Sequence, residues 1–86
     1  MKILLHKNFE KRYKKLRLGE KRLFRKQRDL FLENPYHPLL HNHPLQGHYR
    51  GYRSIGIGGD LRAIYKIIDP DTVYFVALGT HSELYS

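Results

Sequence analysis

The side chains able to do chemistry in this chain are histidines, one arginine and a few carboxylates. Six histidines stand among 86 residues, and five of them follow position 33. His37, His41, His43 and His48 share a stretch with Pro35, Pro38 and Pro44. Prolines at that density leave little room for a helix or strand, so residues 34–48 read as a loop. A metal site there would use His37, His41, His43 and His48. An all-histidine set with no carboxylate nearby and no helix to carry it is an uncommon zinc arrangement, so no metal and no other cofactor is expected. His37 and His41 read as exposed loop side chains. His43 and His81 differ, because each sits beside proline or glycine punctuation where a strand begins or ends. Loops held by a rigid sheet are where catalytic groups tend to be placed.

Asp60 follows Gly58-Gly59 and precedes a strand. A turn role alone would account for it, and paired glycines in a hairpin are more often turn chemistry than a phosphate cradle. Arg62 comes two residues later, inside an otherwise apolar strand. An arginine there calls for an oxyanion or a carboxylate partner. If the strand is regular, Arg62 shares its face with Asp60, Ile64 and Lys66.

The elements that must position these groups can be read from periodicity. Residues 2–5 are a short apolar run fit for an edge strand. Asn8 is a candidate N-cap, and Phe9, Tyr13 and Leu16 then follow with helical spacing. A second helix spans about Gly19 to Glu33, with Leu23, Leu30 and Phe31 as its buried stripe and Phe24 at the edge. Asn34-Pro35 ends it. From Tyr49 the period becomes that of strands: residues 49–57, 61–68 and 72–78, joined by turns at Gly58-Gly59-Asp60 and Asp69-Pro70-Asp71. Such short links make neighbours antiparallel. Val73 to Leu78 is nearly all apolar, which suits a strand covered on both faces. The fold class is α+β, a helical hairpin packed on a small antiparallel sheet, in one domain over residues 1–86.

Charge is concentrated. The chain carries 16 Lys and Arg against eight Asp and Glu, a net +8. Residues 1–33 hold twelve of the basic groups and four of the acidic ones, so the whole excess lies in the helical segment. Such a field seeks a polyanion or an acidic protein. There is no cysteine, which removes disulfide scaffolds, cysteine nucleophiles and thiolate metal sites. No apolar run approaches the roughly 20 residues that span a bilayer, and the opening apolar run is too short for a signal peptide. The cytosol is the simplest expected location, and no membrane partner is expected.

The order of the pieces resembles a known family. His43-Pro44-Leu45-Gln46-Gly47, Gly51-Tyr52-Arg53, Asp60, Ile64-Tyr65-Lys66, Gly79-Thr80-His81 and Leu84-Tyr85 resemble the YafQ branch of the RelE superfamily. These are toxins of bacterial type II toxin–antitoxin pairs. The likeness covers the whole chain in architecture and is concentrated in residues 43–85. It implies a ribosome-dependent mRNA interferase with a cognate antitoxin protein, with the ribosome and mRNA as further partners. It also implies His43, Asp60, His81 and the C-terminal aromatic Tyr85 as active groups. One position departs: where the family carries a further histidine, four residues before the aspartate, this chain has Gly56. Arg62 matches the arginine that other RelE-type chains place after a Gly-Asp pair, and would supply positive charge in its stead.

Elementary chemistry agrees with that assignment. Metal-free RNA cleavage needs a base for the 2′-OH, a cation for the pentacoordinate phosphate and an acid for the leaving oxygen. Imidazoles suit the first and last roles near neutral pH, and a guanidinium suits the middle one. His81 is then the acid, His43 and Asp60 lie on the base side, and Arg62 meets the phosphate. Tyr85 either stacks on a base or anchors the C-terminus in the core. Lys14, Lys15, Arg22 and Lys26 on the helices, with Arg50 and Arg53 on the first strand of the meander, are the expected phosphate contacts. Three readings compete with this one: a gyrase-directed toxin of the same superfamily, a non-catalytic basic RNA-binding module, and a structural subunit of a protein complex.

Overall fold

The computed structural model describes residues 1–85. Its strands are β1 (Lys2–Leu5), β2 (His43–Pro44), β3 (Arg53–Gly58), β4 (Leu61–Asp69) and β5 (Thr72–Thr80). Its helices are α1 (Lys7–Lys14), α2 (Leu18–Glu33) and α3 (His81–Tyr85), with single 3₁₀ turns at Pro38–Leu40 and Gly47–Tyr49. The five strands form one sheet in the order β1-β5-β4-β3-β2. The links between β3, β4 and β5 are tight, and these strands pair antiparallel as expected. β1 pairs parallel to β5, with Ile3 opposite Val73 and Leu5 opposite Phe75, so the sheet is mixed rather than wholly antiparallel. Helices and loop separate β1 from β5 along the chain, so no hairpin dictates its direction.

The helices form as their patterns require, with shifted details. The cap of α1 is His6 rather than Asn8: His6 Nδ1 accepts the Asn8 N–H at 3.0 Å. At the start of α2, the Glu20 carboxylate accepts the Arg17 N–H at 2.9 Å. On α2 the buried pair is Phe24 and Phe31, seven residues and about two turns apart. Leu23 is left 42% exposed. Turning both phenyl rings inward buries more apolar area than turning Leu23 in, at about 25 cal/mol per Å². Leu23 instead lies along β3, where a Cβ added to Gly58 would come within 2.6 Å of its Cδ1.

Aromatic rings join the helices to the sheet. Phe9 of α1 stacks on Phe75 with centroids 5.7 Å apart, and Phe31 of α2 meets the edge of Tyr65 at 5.0 Å. Tyr65 and Phe75 in turn pack at 5.3 Å. Leu61, Ala63 and Tyr65 of β4 belong to this core. Strand alternation therefore turns the intervening Arg62 to the sheet face away from the helices. β5 is covered on one face, not both: Val73 and Phe75 are buried while Tyr74 and Val76 stay half-exposed.

The segment 34–52 is less of a free loop than its prolines suggest. Asn42 Nδ2 donates to Pro35 O and to the Tyr65 hydroxyl, both at 2.8 Å, and Asn42 Oδ1 accepts from Arg53 Nε at 2.8 Å. Burial pushes the Tyr65 hydroxyl above the usual tyrosine range, against the lowering effects of Asn42 and Arg53. The first meander strand starts at Arg53 instead of Tyr49 because Gly47 and Gly51 adopt φ of 65° and 92° and break the extended run.

Candidate active site

Three parts of the chain meet at an open cleft of about 300 Å³, lined by His43, Leu45, Gln46, Arg62, His81 and Tyr85. β2 and the turn after it bring the first three, β4 brings Arg62, and α3 brings the last two. Four of the five expected catalytic side chains therefore share one cavity, although His43 and His81 lie 38 positions apart in sequence.

Each has a defined setting. His43 Nδ1 lies 2.9 Å from the main-chain oxygen of His41. A carbonyl can only accept, so Nδ1 carries the proton and Nε2 of the neutral ring keeps its lone pair. Arg62 stands opposite Gly56 in the β3–β4 register. Its Nη1 is buried with no hydrogen-bond partner among the described residues. A Cβ built on Gly56 would make an ordinary contact with that nitrogen at 3.7 Å, so a side chain longer than alanine's there would enter the space of the guanidinium. His81 opens α3, and its ring packs against Tyr85 with centroids 4.7 Å apart. Tyr85 also meets the edge of Tyr49 at 5.9 Å. Around Tyr85 and Gln46 the cleft runs into a larger one of about 570 Å³, completed by His48, Tyr49 and Leu84.

Asp60 is placed differently. It does not line the cleft and does not share the face of Arg62 on a regular strand, because it sits in the turn before β4. Its Oδ2 accepts the backbone N–H of His81 at 3.3 Å. Its contact with the site is an anchor on the first residue of α3.

The expected phosphate contacts also divide. Lys14, Lys15, Arg22 and Lys26 are exposed, as is Arg50. Arg53 is half-buried and committed: its Nε donates to Asn42 and its guanidinium lies 5.4 Å from the Tyr36 ring centroid. Among the described residues, no three His, Asp or Glu side chains converge to hold a metal ion.

Sequence reading passed over one device. Thr80 and Glu83 form a reciprocal cap at the start of α3: Glu83 Oε1 accepts the Thr80 N–H at 2.8 Å, and Thr80 Oγ1 accepts the Glu83 N–H at 3.4 Å. The signal was present as Thr80-His81-Ser82-Glu83, the Thr-x-x-Glu spacing of a capping box. The second partner of Glu83, Arg12 Nη2 at 3.0 Å, comes from 71 residues away and has no local signature.

A helical layer packed on one face of a five-stranded mixed sheet matches the fold of the RelE/YafQ toxins. The family model described as the bacterial toxin of type II toxin–antitoxin system, YafQ, matches residues 1–86. The chain belongs to that family. YafQ from Escherichia coli strain BL21(DE3) superposes with a TM-score of 0.77 at 27% identity, covering 98% of this chain and 97% of that one. YafQ in the Escherichia coli DinJ–YafQ complex gives 0.74 at 27% identity, over 98% of this chain and 97% of that one. A copper-bound mutant toxin from Helicobacter pylori gives 0.75 at 30% identity, over 99% of each chain. Comparison with curated proteins found no match.

Proposed function

We propose that this toxin is a metal-free endoribonuclease that cuts mRNA on the ribosome and so stops translation. The observation that carries the reading is the single cleft in which His43 and His81 accompany an arginine whose buried Nη1 has no partner among the described residues. An unpartnered buried donor costs free energy in the free protein, and a turn of the guanidinium toward a phosphate in the cleft would relieve that cost.

The residues take these roles. His43 Nε2 removes the proton from the 2′-OH. The 2′ oxygen attacks the adjacent phosphorus while the bond from phosphorus to the 5′ oxygen breaks. Arg62 stabilises the pentacoordinate phosphate, and His81 gives the leaving oxygen its proton. The products are a 2′,3′-cyclic phosphate and a free 5′-OH, and DNA, which lacks the nucleophile, is not cut. Asp60 serves by holding the His81 backbone. Tyr85 offers a face for a base. Lys14, Lys15, Arg22, Lys26 and Arg50 meet RNA phosphates, and Arg53 supports the fold around Asn42. The relatives include a metal-bound toxin, but the described side chains of this chain offer no ligand set, and no step is routed through a metal. The complex of YafQ with DinJ supports a cognate antitoxin as partner here. The cytoplasm, where ribosomes lie, is the proposed location.

The test is induction of the chain alone in bacterial cells, with growth and the 5′ ends of mRNA followed beside His81→Gln. The expected result is growth arrest with new 5′-OH ends inside coding regions, both absent in the folded variant. General acid catalysis contributes about 10²–10⁴ in rate. Arrest without new RNA ends, or arrest relieved only by a resistant gyrase, would replace the nuclease with a binding module or a gyrase-directed toxin.

A further inference from the structure

α3 presents two residues to the cleft, yet it is too short to stand alone. It is five residues long and buries none of them fully. Isolated helices need about 12–15 residues before they are even marginal in water. Whatever fixes α3 therefore fixes the rings of His81 and Tyr85.

Beside the Asp60 contact to the His81 N–H, one carboxylate oxygen gathers two further ties. Glu83 Oε1 accepts the Thr80 N–H at 2.8 Å and Arg12 Nη2 at 3.0 Å. It ties the end of β5, the first turn of α3 and the side of α1 to one atom. The pair is partly shielded, with side-chain exposures of 30% for Arg12 and 50% for Glu83. The chain makes room for this contact at Gly79, where an added Cβ would come within 3.2 Å of Glu83 Oε1 and 3.3 Å of its Cβ. The Thr80 N–H bond and then Arg12 hold the carboxyl at about 2, well below its ordinary 4.5.

We infer that Glu83, clasped by Arg12, is a positioning residue for the cleft: it holds α3 so that His81 and Tyr85 face Arg62 and His43. The inference rests on the nuclease reading for its kinetic consequence only; its structural consequence stands apart. The clasp also runs through α1, which carries part of the basic surface. Ordering of the cleft is thereby linked to the helix layer on the other side of the sheet.

Five purified proteins test this: wild type, Glu83→Ala, Glu83→Gln, Arg12→Ala and the Arg12→Ala/Glu83→Ala double variant. NMR follows the ring-to-ring contact of His81 with Tyr85 and the amide exchange of residues 81–85. Cleavage of mRNA in a translating extract gives kcat and KM. Glu83→Ala should lose the ring contact and exchange α3 amides faster, while thermal melting stays within about 4 °C of wild type. Its kcat should drop by about 10- to 100-fold with KM unchanged, the loss typical of a misplaced catalytic group. Glu83→Gln keeps an acceptor for Thr80 and should fall between Glu83→Ala and wild type, close to Arg12→Ala. The double variant should be no worse than Glu83→Ala, because both lose the same contact. Retained ring contact in Glu83→Ala would overturn the inference, as would loosened rings with undiminished kcat. If wild type cuts no RNA, loosened rings uphold the clasp and the nuclease reading alone fails.

Discussion

Replacing Arg62 should move stability and activity in opposite directions. Its Nη1 is buried without a hydrogen-bond partner among the described residues. Leaving such a donor unsatisfied costs about 1–3 kcal/mol, more when it is charged. Arg62→Met keeps much of the apolar stem and removes the orphaned donor, so the melting temperature should hold or rise. In a protein of this size each 1 kcal/mol is worth about 4–8 °C. Activity should fall, because a hydrogen bond to a charged group contributes about 1.5–3 kcal/mol. At about 1.4 kcal/mol per tenfold, kcat/KM for mRNA drops by about 10- to 150-fold. Arg62→Lys keeps the charge without the planar fork and should lie at the mild end. Gly56 supplies the complementary test. A Cβ there meets Leu40 O at 3.6 Å and Arg62 Nη1 at 3.7 Å, both ordinary contacts, but an imidazole beyond it would enter the space of the guanidinium. Gly56→His alone should therefore impair the enzyme, whereas Gly56→His with Arg62→Ala should recover part of what Arg62→Ala loses. The assay is single-turnover cleavage in a translating extract, with melting on the same samples. Arg62→Met with a lowered melting temperature and full activity would show that the guanidinium serves the fold and refute the phosphate role.

Neutralising Lys14, Lys15, Arg22 and Lys26 together should reduce the slope of log affinity against log salt for ribosomes by about 3, read by sedimentation at several salt concentrations. Cleavage should survive a chelator selective for transition metals and indifferent to magnesium; loss restored by zinc or copper would revive a metal role. Because the carboxyl of Glu83 is lowered on folding from 4.5 to about 2, its contribution is complete above the unfolded value and lost as pH falls toward the folded one. Exchange protection of α3 should accordingly be flat above about pH 5 and decline between about 4.5 and 2. Asn42→Ala strands the Tyr65 hydroxyl and Arg53 Nε and should cost about 1–3 kcal/mol in urea unfolding, with His81 unaffected.

Local pattern alone determined much of this protein. Phe9, Tyr13 and Leu16 at helical spacing, the stop at Asn34-Pro35 and the turns around Gly59 and Pro70 each follow from backbone sterics within a few residues. The two helices and the three-strand meander were therefore legible. His43, Arg62 and His81 stood out as candidates because a polar group beside proline or glycine punctuation, or within an apolar strand, breaks a pattern, whereas Tyr85 was singled out only by the family resemblance. The tertiary structure alone decided what depends on distant segments meeting. β1 lies parallel to β5 because no hairpin dictates its direction. Arg53 faces Asn42 and Tyr36, and so its charge is spent inside the fold. Asp60 reaches the His81 backbone across 21 residues, and Arg12 reaches Glu83 across 71. Residue type states what a side chain can do, whereas its partner is chosen by burial of the aromatic core, which sets every strand and helix against its neighbour at once.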